Sequence, residues 1–219
     1  MADPADRGLD YRGLHVLADD DPRWAKDPVE QAREACAGGA PVVQLRSKHA
    51  TDREALGWAQ AIRKVTREAG ARFVVNDRFD LALLAEADAV HLGQDDLPPS
   101  ALPTDVRRRL AVGRSTHTPE QLVATRDEDV DYVAFGPVFG TTSKDSDYDQ
   151  RGLEALREAV RLAAPRPLVA IGGITADRVA SLREAGVAGF AVISVVAAAE
   201  DPIAATADLV ARFGGRGDD

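Results

Sequence analysis

Short apolar runs recur along the chain, and each is followed by a helical pattern. Eight runs stand out: Leu14–Ala18, Val42–Arg46, Arg72–Asn76, Ala89–Gly93, Leu110–Arg114, Tyr132–Gly136, Leu168–Gly172 and Gly189–Ile193. They are short and rich in Val, Ile and Leu, as parallel strands covered on both faces should be. Between them, Thr51-Asp52-Arg53-Glu54 reads as a capping box that opens a helix ending at Gly70. Thr118 and Thr175 stand at plausible N-caps, and Asp201-Pro202 opens a last helix that Gly214-Gly215 ends. The helical pattern is weakest near Phe79–Ala85 and Pro99–Arg109.

Eight strands alternating with eight helices predict a single (β/α)₈ barrel over residues 1–219, with its core at about 14–213. A doubly wound open sheet is the runner-up, but it would more often have fewer strands. The unit recurs about every 25 residues, which is the repetition of this architecture and not of a solenoid. A short polar N-terminal extension and an acidic C-terminal tail flank the barrel.

Composition narrows the function. At 219 residues and 45% hydrophobic, the chain buries enough core to need no disulfide or structural zinc. Its one cysteine, Cys36, lies among alanines and reads as a small buried apolar residue; an intramolecular disulfide is excluded and a reducing, cytoplasmic setting is expected. The polar, acidic first ten residues do not resemble a signal peptide. No apolar run approaches the roughly 20 residues that span a bilayer. A net charge of −9 argues against nucleic acid or anionic membrane as partners. It also means that any phosphate must be met by a local basic cluster. Nothing in the sequence fixes the oligomeric state.

In such barrels the active site lies at the C-terminal ends of the strands, and polar residues collect there. The second strand ends in Gln44-Leu45-Arg46-Ser47-Lys48, whose alternation aims an amide and two cations to one side. The third ends in Asn76-Asp77 and the fourth in His91-Leu92-Gly93-Gln94-Asp95-Asp96. Asp77 and one of Asp95 and Asp96 suit Mg²⁺, which takes one or two protein carboxylates and completes its shell with water and phosphate. His91, one layer deeper, reads as a packed core histidine. The fifth strand leads into Arg114-Ser115-Thr116-His117-Thr118, where His117 is equally an acid/base or a structural hydrogen-bonding group. The longest loop, Gly136 to Lys144, carries Thr141, Thr142, Ser143 and Lys144. Gly172-Gly173 and Ile193-Ser194 follow strands seven and eight, the usual phosphate-binding pair in these barrels. Arg46, Lys48, Arg114 and Lys144 therefore form the expected cationic cluster. Two phosphate sites are implied, one with the metal at strands two to six and one at strands seven and eight.

The order QLRSK, VVND, HLGQDD, STHT, GPVFGTTSK, IGGI and VIS resembles the thiamine-phosphate synthases from Leu14 to about Phe213. The resemblance implies an Mg²⁺-dependent (β/α)₈ transferase that joins a hydroxymethylpyrimidine diphosphate to a thiazole phosphate, releasing pyrophosphate. It implies that Gln44, Arg46, Lys48, Asn76 and Lys144 bind the diphosphate substrate, with Ser115 nearby. Asp77 and Asp96 would hold Mg²⁺, and Thr141, Ser143, Gly173, Ile193 and Ser194 would bind the thiazole phosphate. Arg46, Lys48, Lys144 and Ser115 would stabilise the transition state, with no nucleophilic side chain. The chain departs from the family at Gly140, Thr142 and Ser143, where Pro-Thr-Pro-Thr is more usual before the lysine. Arg114 and His117 resemble the related thiazole tautomerases, which are one alternative; a non-catalytic barrel that binds thiamine precursors and regulates a partner is another. A sugar-phosphate isomerase would need an acid/base pair that the sequence does not supply.

Overall fold

All eight apolar runs become parallel strands, and the set closes on itself. In the computed structural model, which describes residues 11–140 and 149–214, the order is β1 (Gly13–Asp19), β2 (Val42–Arg46), β3 (Arg72–Asn76), β4 (Ala89–Leu92), β5 (Ala111–Thr116), β6 (Tyr132–Phe135), β7 (Leu168–Ile171) and β8 (Gly189–Val192). Each pairs with the next and β8 pairs with β1, giving the expected eight-stranded barrel. Alternation sorts the side chains into two layers. Leu17, Val42, Val74, Ala111, Tyr132 and Val169 fill the interior. Val16, Val43, Phe73, Val90, Val112 and Val133, of the other parity, pack against the surrounding helices.

Those helices are α1 (Pro28–Ala37), α2 (Asp52–Ala69), α3 (Phe79–Leu84), α4 (Thr104–Arg109), α5 (Pro119–Ala124), α6 (Gly152–Ala163), α7 (Val179–Glu184), α8 (Ser194–Ala197) and α9 (Pro202–Gly214). The Thr51–Glu54 capping box forms in both directions, and Gly70 ends α2 in the left-handed conformation that glycine adopts without strain. Thr118 caps α5 through Gln121 N, and Asp201 Oδ1 accepts from Ala204 N at the start of α9. Thr175 takes the N-cap position as expected, but of a 3₁₀ turn, Ala176–Arg178, ahead of α7, and its side chain makes no capping hydrogen bond.

The weakly patterned helices are held by tertiary contacts. α4 follows a separate 3₁₀ turn, Pro99–Ala101, and its Arg107 is buried in a fork on Asp129 (2.8 and 2.9 Å) with Nη1 donating to Leu110 O. Among the described residues α8 is an addition to the eight expected helices, a single turn directly after β8. Among the described residues no helix is long and apolar enough to cross a membrane. Burial pushes the Cys36 thiol up to about 11, the behaviour of an inert packing residue.

Candidate active site

The strand ends place their polar side chains in one mouth because of the same parity that fills the interior. Leu17 faces Gln44 and Asp19 faces Arg46 in the β1–β2 register, and Asn76 faces His91 between β3 and β4. β5 runs two residues further than expected, so Ser115 lies within the strand and Thr116 donates to Ala134 O.

Arg46 and Lys48 reach the mouth braced by carboxylates from β1. Asp19, fully buried, accepts from Arg46 Nη1 with both oxygens at 2.9 and 3.1 Å. Gln31 of α1 fixes the Asp19 backbone in turn, accepting from its N–H and donating to its carbonyl. Asp20 accepts from the backbone N–H groups of Lys48, His49 and Ala50 (2.8, 2.9 and 2.8 Å) and from the Ser47 hydroxyl. Burial alone would raise the Asp20 carboxyl, but these four hydrogen bonds outweigh it and hold the group below its ordinary value. Neither aspartate was among the expected site residues, although Asp19 ends β1 and Asp20 follows it directly.

Asp77 and Asp96 meet across the β3 and β4 ends. Asp77 has a positive φ of 63°, unusual for a non-glycine residue, and its N–H donates to His91 O. Asp96 accepts from Gly93 N at 2.6 Å. Its carboxyl is raised above the ordinary value by burial and by the neighbouring Asp77 carboxyl, with the Gly93 bond and Lys48 opposing. Asp95 is exposed, so of the two candidates Asp96 is the one that faces Asp77. Lys48 Nζ lies 2.5 Å from Asp77 Oδ2. Among the described residues no group of three or more His, Cys, Asp or Glu side chains converges. Two hard oxygen donors with mutually repelling charge fit Mg²⁺, whose remaining positions go to water and phosphate.

Arg114 does not join the rim cations. Strand parity turns it outward, where it is almost fully buried, donates to Gly93 O and pairs with Glu128 at 3.3 Å. His117 Nδ1 is bonded to Gly136 O at 2.6 Å, tying the β5 loop to the β6 end. Ser115 Oγ contacts His91 Nε2, and Gln94 Nε2 donates to Ser115 O. Gln44 is buried in the interior beneath Arg46.

On the other half of the rim, Gly172 and Gly173 both have positive φ. A Cβ on Gly173 would lie 2.2 Å from Gly140 O, so this glycine lets the β6 and β7 loops touch. Phe139 N donates to Gly172 O, and the Arg178 guanidinium stacks over Phe139 at 4.5 Å. Ile193 is buried at the start of α8 and Ser194 is exposed there. Thr141, Ser143 and Lys144 lie outside the described residues, so the structure brings together Gln44, Arg46, Lys48, Asn76, Asp77, Asp96 and Ser115 on one half of the rim and Gly173, Ile193 and Ser194 on the other.

Fold and rim define an α/β-barrel enzyme with a braced cationic mouth beside paired carboxylates. The description "Thiamine monophosphate synthase" belongs to the family model that matches residues 14–196. The chain is 45% identical to a thiamine-phosphate synthase of Methanoculleus marisnigri over 200 residues, covering 91% of this chain and 94% of that one. It is 47% identical over 203 residues to one of Anaeromyxobacter dehalogenans, covering 92% and 87%. Among solved structures it is similar to the thiamine phosphate pyrophosphorylase of Pyrococcus furiosus, with a TM-score of 0.83, 37% identity, and 93% and 97% of the two chains covered. A 3-hexulose-6-phosphate synthase at 16% identity and a TM-score of 0.64 shares the fold alone. The chain belongs to the thiamine monophosphate synthase family.

Proposed function

We propose that this chain condenses 4-amino-2-methyl-5-hydroxymethylpyrimidine diphosphate with hydroxyethylthiazole phosphate, forming thiamine phosphate and pyrophosphate. The observation that carries the reading is the convergence of Arg46, Lys48, Asp77, Asp96 and Ser115 at one strand-end rim, in a chain of this family.

The reaction is dissociative. The bond from the pyrimidine methylene carbon to the diphosphate oxygen breaks, and its electron pair leaves with pyrophosphate. The thiazole nitrogen then donates its lone pair to the same carbon, so no side chain need act as nucleophile or exchange a proton. Arg46, held rigid by Asp19, offers a guanidinium to the leaving diphosphate, and Lys48 adds a point charge beside it. Lys144, by the family resemblance, is a third cation. Asp77 and Asp96 would hold Mg²⁺, which supplies further neutralisation of the diphosphate charge. Gln44, Asn76 and Ser115 orient the pyrimidine diphosphate. Thr141, Ser143, Gly173, Ile193 and Ser194 receive the thiazole phosphate, and holding both substrates together makes the second step effectively unimolecular.

The residues that suggest a tautomerase, Arg114 and His117, are engaged with Gly93 and Glu128 and with Gly136. A single cysteine, Cys36, which can form no intramolecular disulfide, suits a reducing cytoplasmic setting. The test compares Asp77→Ala and Asp96→Ala with the native protein across Mg²⁺ concentrations. Both should lose Mg²⁺-dependent formation of thiamine phosphate while keeping the thermal transition of the barrel. Full turnover by either variant would refute the metal assignment.

A further inference from the structure

Ser115 is the outer end of a buried hydrogen-bonded chain. Its Oγ lies 2.8 Å from His91 Nε2, and His91 Nδ1 lies 3.0 Å from Tyr132 Oη. His91, Gly113 and Tyr132 occupy one register row on β4, β5 and β6. The middle position has no side chain, and the contact uses that space. A Cβ on Gly113 would sit 2.2 Å from Tyr132 Cζ and 2.5 Å from His91 Nδ1. The phenol thus reaches over β5 to the histidine, its ring stacked on Tyr11 at 4.9 Å and met edge-on by His15 at 5.8 Å.

The chain has a direction. The Tyr132 phenol is 1% exposed, and the hydrogen-bond partner the structure gives it is His91 Nδ1. A buried hydroxyl must donate its hydrogen, since an unpaired donor in an apolar interior is costly. In a neutral imidazole one nitrogen donates and the other accepts. Nδ1 accepts from Tyr132, so the ring hydrogen resides on Nε2 and is donated to Ser115 Oγ. The serine oxygen has then accepted, and its own hydrogen is left for an acceptor in the mouth. The reverse order would aim the phenol hydrogen into the packed interior. Burial, with Tyr11 and Asp131 nearby, holds the Tyr132 phenol well above its ordinary value, so it remains a donor.

We infer that Tyr132, His91 and Gly113 are positioning residues that fix the Ser115 hydroxyl as a hydrogen-bond donor, selecting a substrate ring that presents a nitrogen acceptor. This rests on the aminopyrimidine reading of the mouth given above.

Two measurements test it. In ligand-free protein labelled with ¹⁵N-histidine, His91 should show the neutral tautomer protonated at Nε2, its signals assigned by their loss in His91→Gln. In kinetics, Tyr132→Phe should lower kcat/KM for the pyrimidine diphosphate roughly tenfold, the scale of one misdirected hydrogen bond, and leave KM for the thiazole phosphate unchanged. In a Ser115→Ala background the same change should add nothing, because the two act through one hydroxyl. A His91 ring protonated at Nδ1, or at both nitrogens, would overturn the inference. So would an equal loss from Tyr132→Phe with and without the serine hydroxyl. Failure of the native protein to form thiamine phosphate would sink the substrate reading, whereas the tautomer is read without substrate.

Discussion

Asp19 and Asp20 sit at the end of β1, and each holds a cationic residue at the end of β2: Asp19 the Arg46 guanidinium, Asp20 the Lys48 backbone. Asp19 accepts from Arg46 Nη1 at a fully buried position, so Asp19→Ala strands a guanidinium that is itself largely covered. That change should cost about 3 kcal/mol in denaturant unfolding and raise KM for the diphosphate substrate. Unchanged values of both would remove the brace from the account. Asp20 has a depressed carboxyl, so its hydrogen bonds to the Ser47–Ala50 loop stabilise the fold above the unfolded value and are lost as pH falls through the folded one. Thermal unfolding between neutral and acid pH should therefore show Asp20→Asn less stable than the native protein at neutrality. The gap should close below about pH 4. The gathering of rim residues was legible in the sequence where charged types stand at strand ends, as with Arg46, Lys48, Asp77 and Asp96. Carboxylates that orient those cations carry the wrong sign for a phosphate site, so their role emerges only from the register that sets Asp19 beside Arg46. Arg114 shows the converse: the right charge at the rim, turned outward by strand parity.

At the scale of elements, β5 and the β7 loop depend on absent side chains. Gly113→Ala should displace Tyr132 from His91, lowering both stability, by about 1–3 kcal/mol, and kcat/KM. Wild-type values of both would mean that the row has slack the distances do not show. Gly173→Ala combines a positive φ with a Cβ 2.2 Å from Gly140 O, so it should push the β6 loop off β7 and weaken binding of the thiazole phosphate. A calorimetric titration would detect the loss. Strands and long helices were readable because period and capping agree with tertiary packing, as at Thr51 and Gly70. Short elements were less so. α4 owes its place to Arg107 on Asp129 and Leu110, and α8 is one turn that no periodicity can announce.

For the whole molecule, the tension lies between a net charge of −9 and an anionic substrate pair. The barrel resolves it by position: Arg46 and Lys48 are gathered at the mouth while carboxylates beneath or beside them hold their geometry. Closure of the barrel was legible from eight alternating units, since parallel strands need covering helices and short connections. The chemistry is the claim on which this arrangement rests. Its most direct test mixes the purified native protein with the pyrimidine diphosphate, the thiazole phosphate and Mg²⁺, and follows both products with time. Thiamine phosphate and pyrophosphate should appear in equal amounts, and neither should form when one substrate is omitted. Consumption of neither substrate, or isomerisation of the thiazole without release of pyrophosphate, would contradict the account.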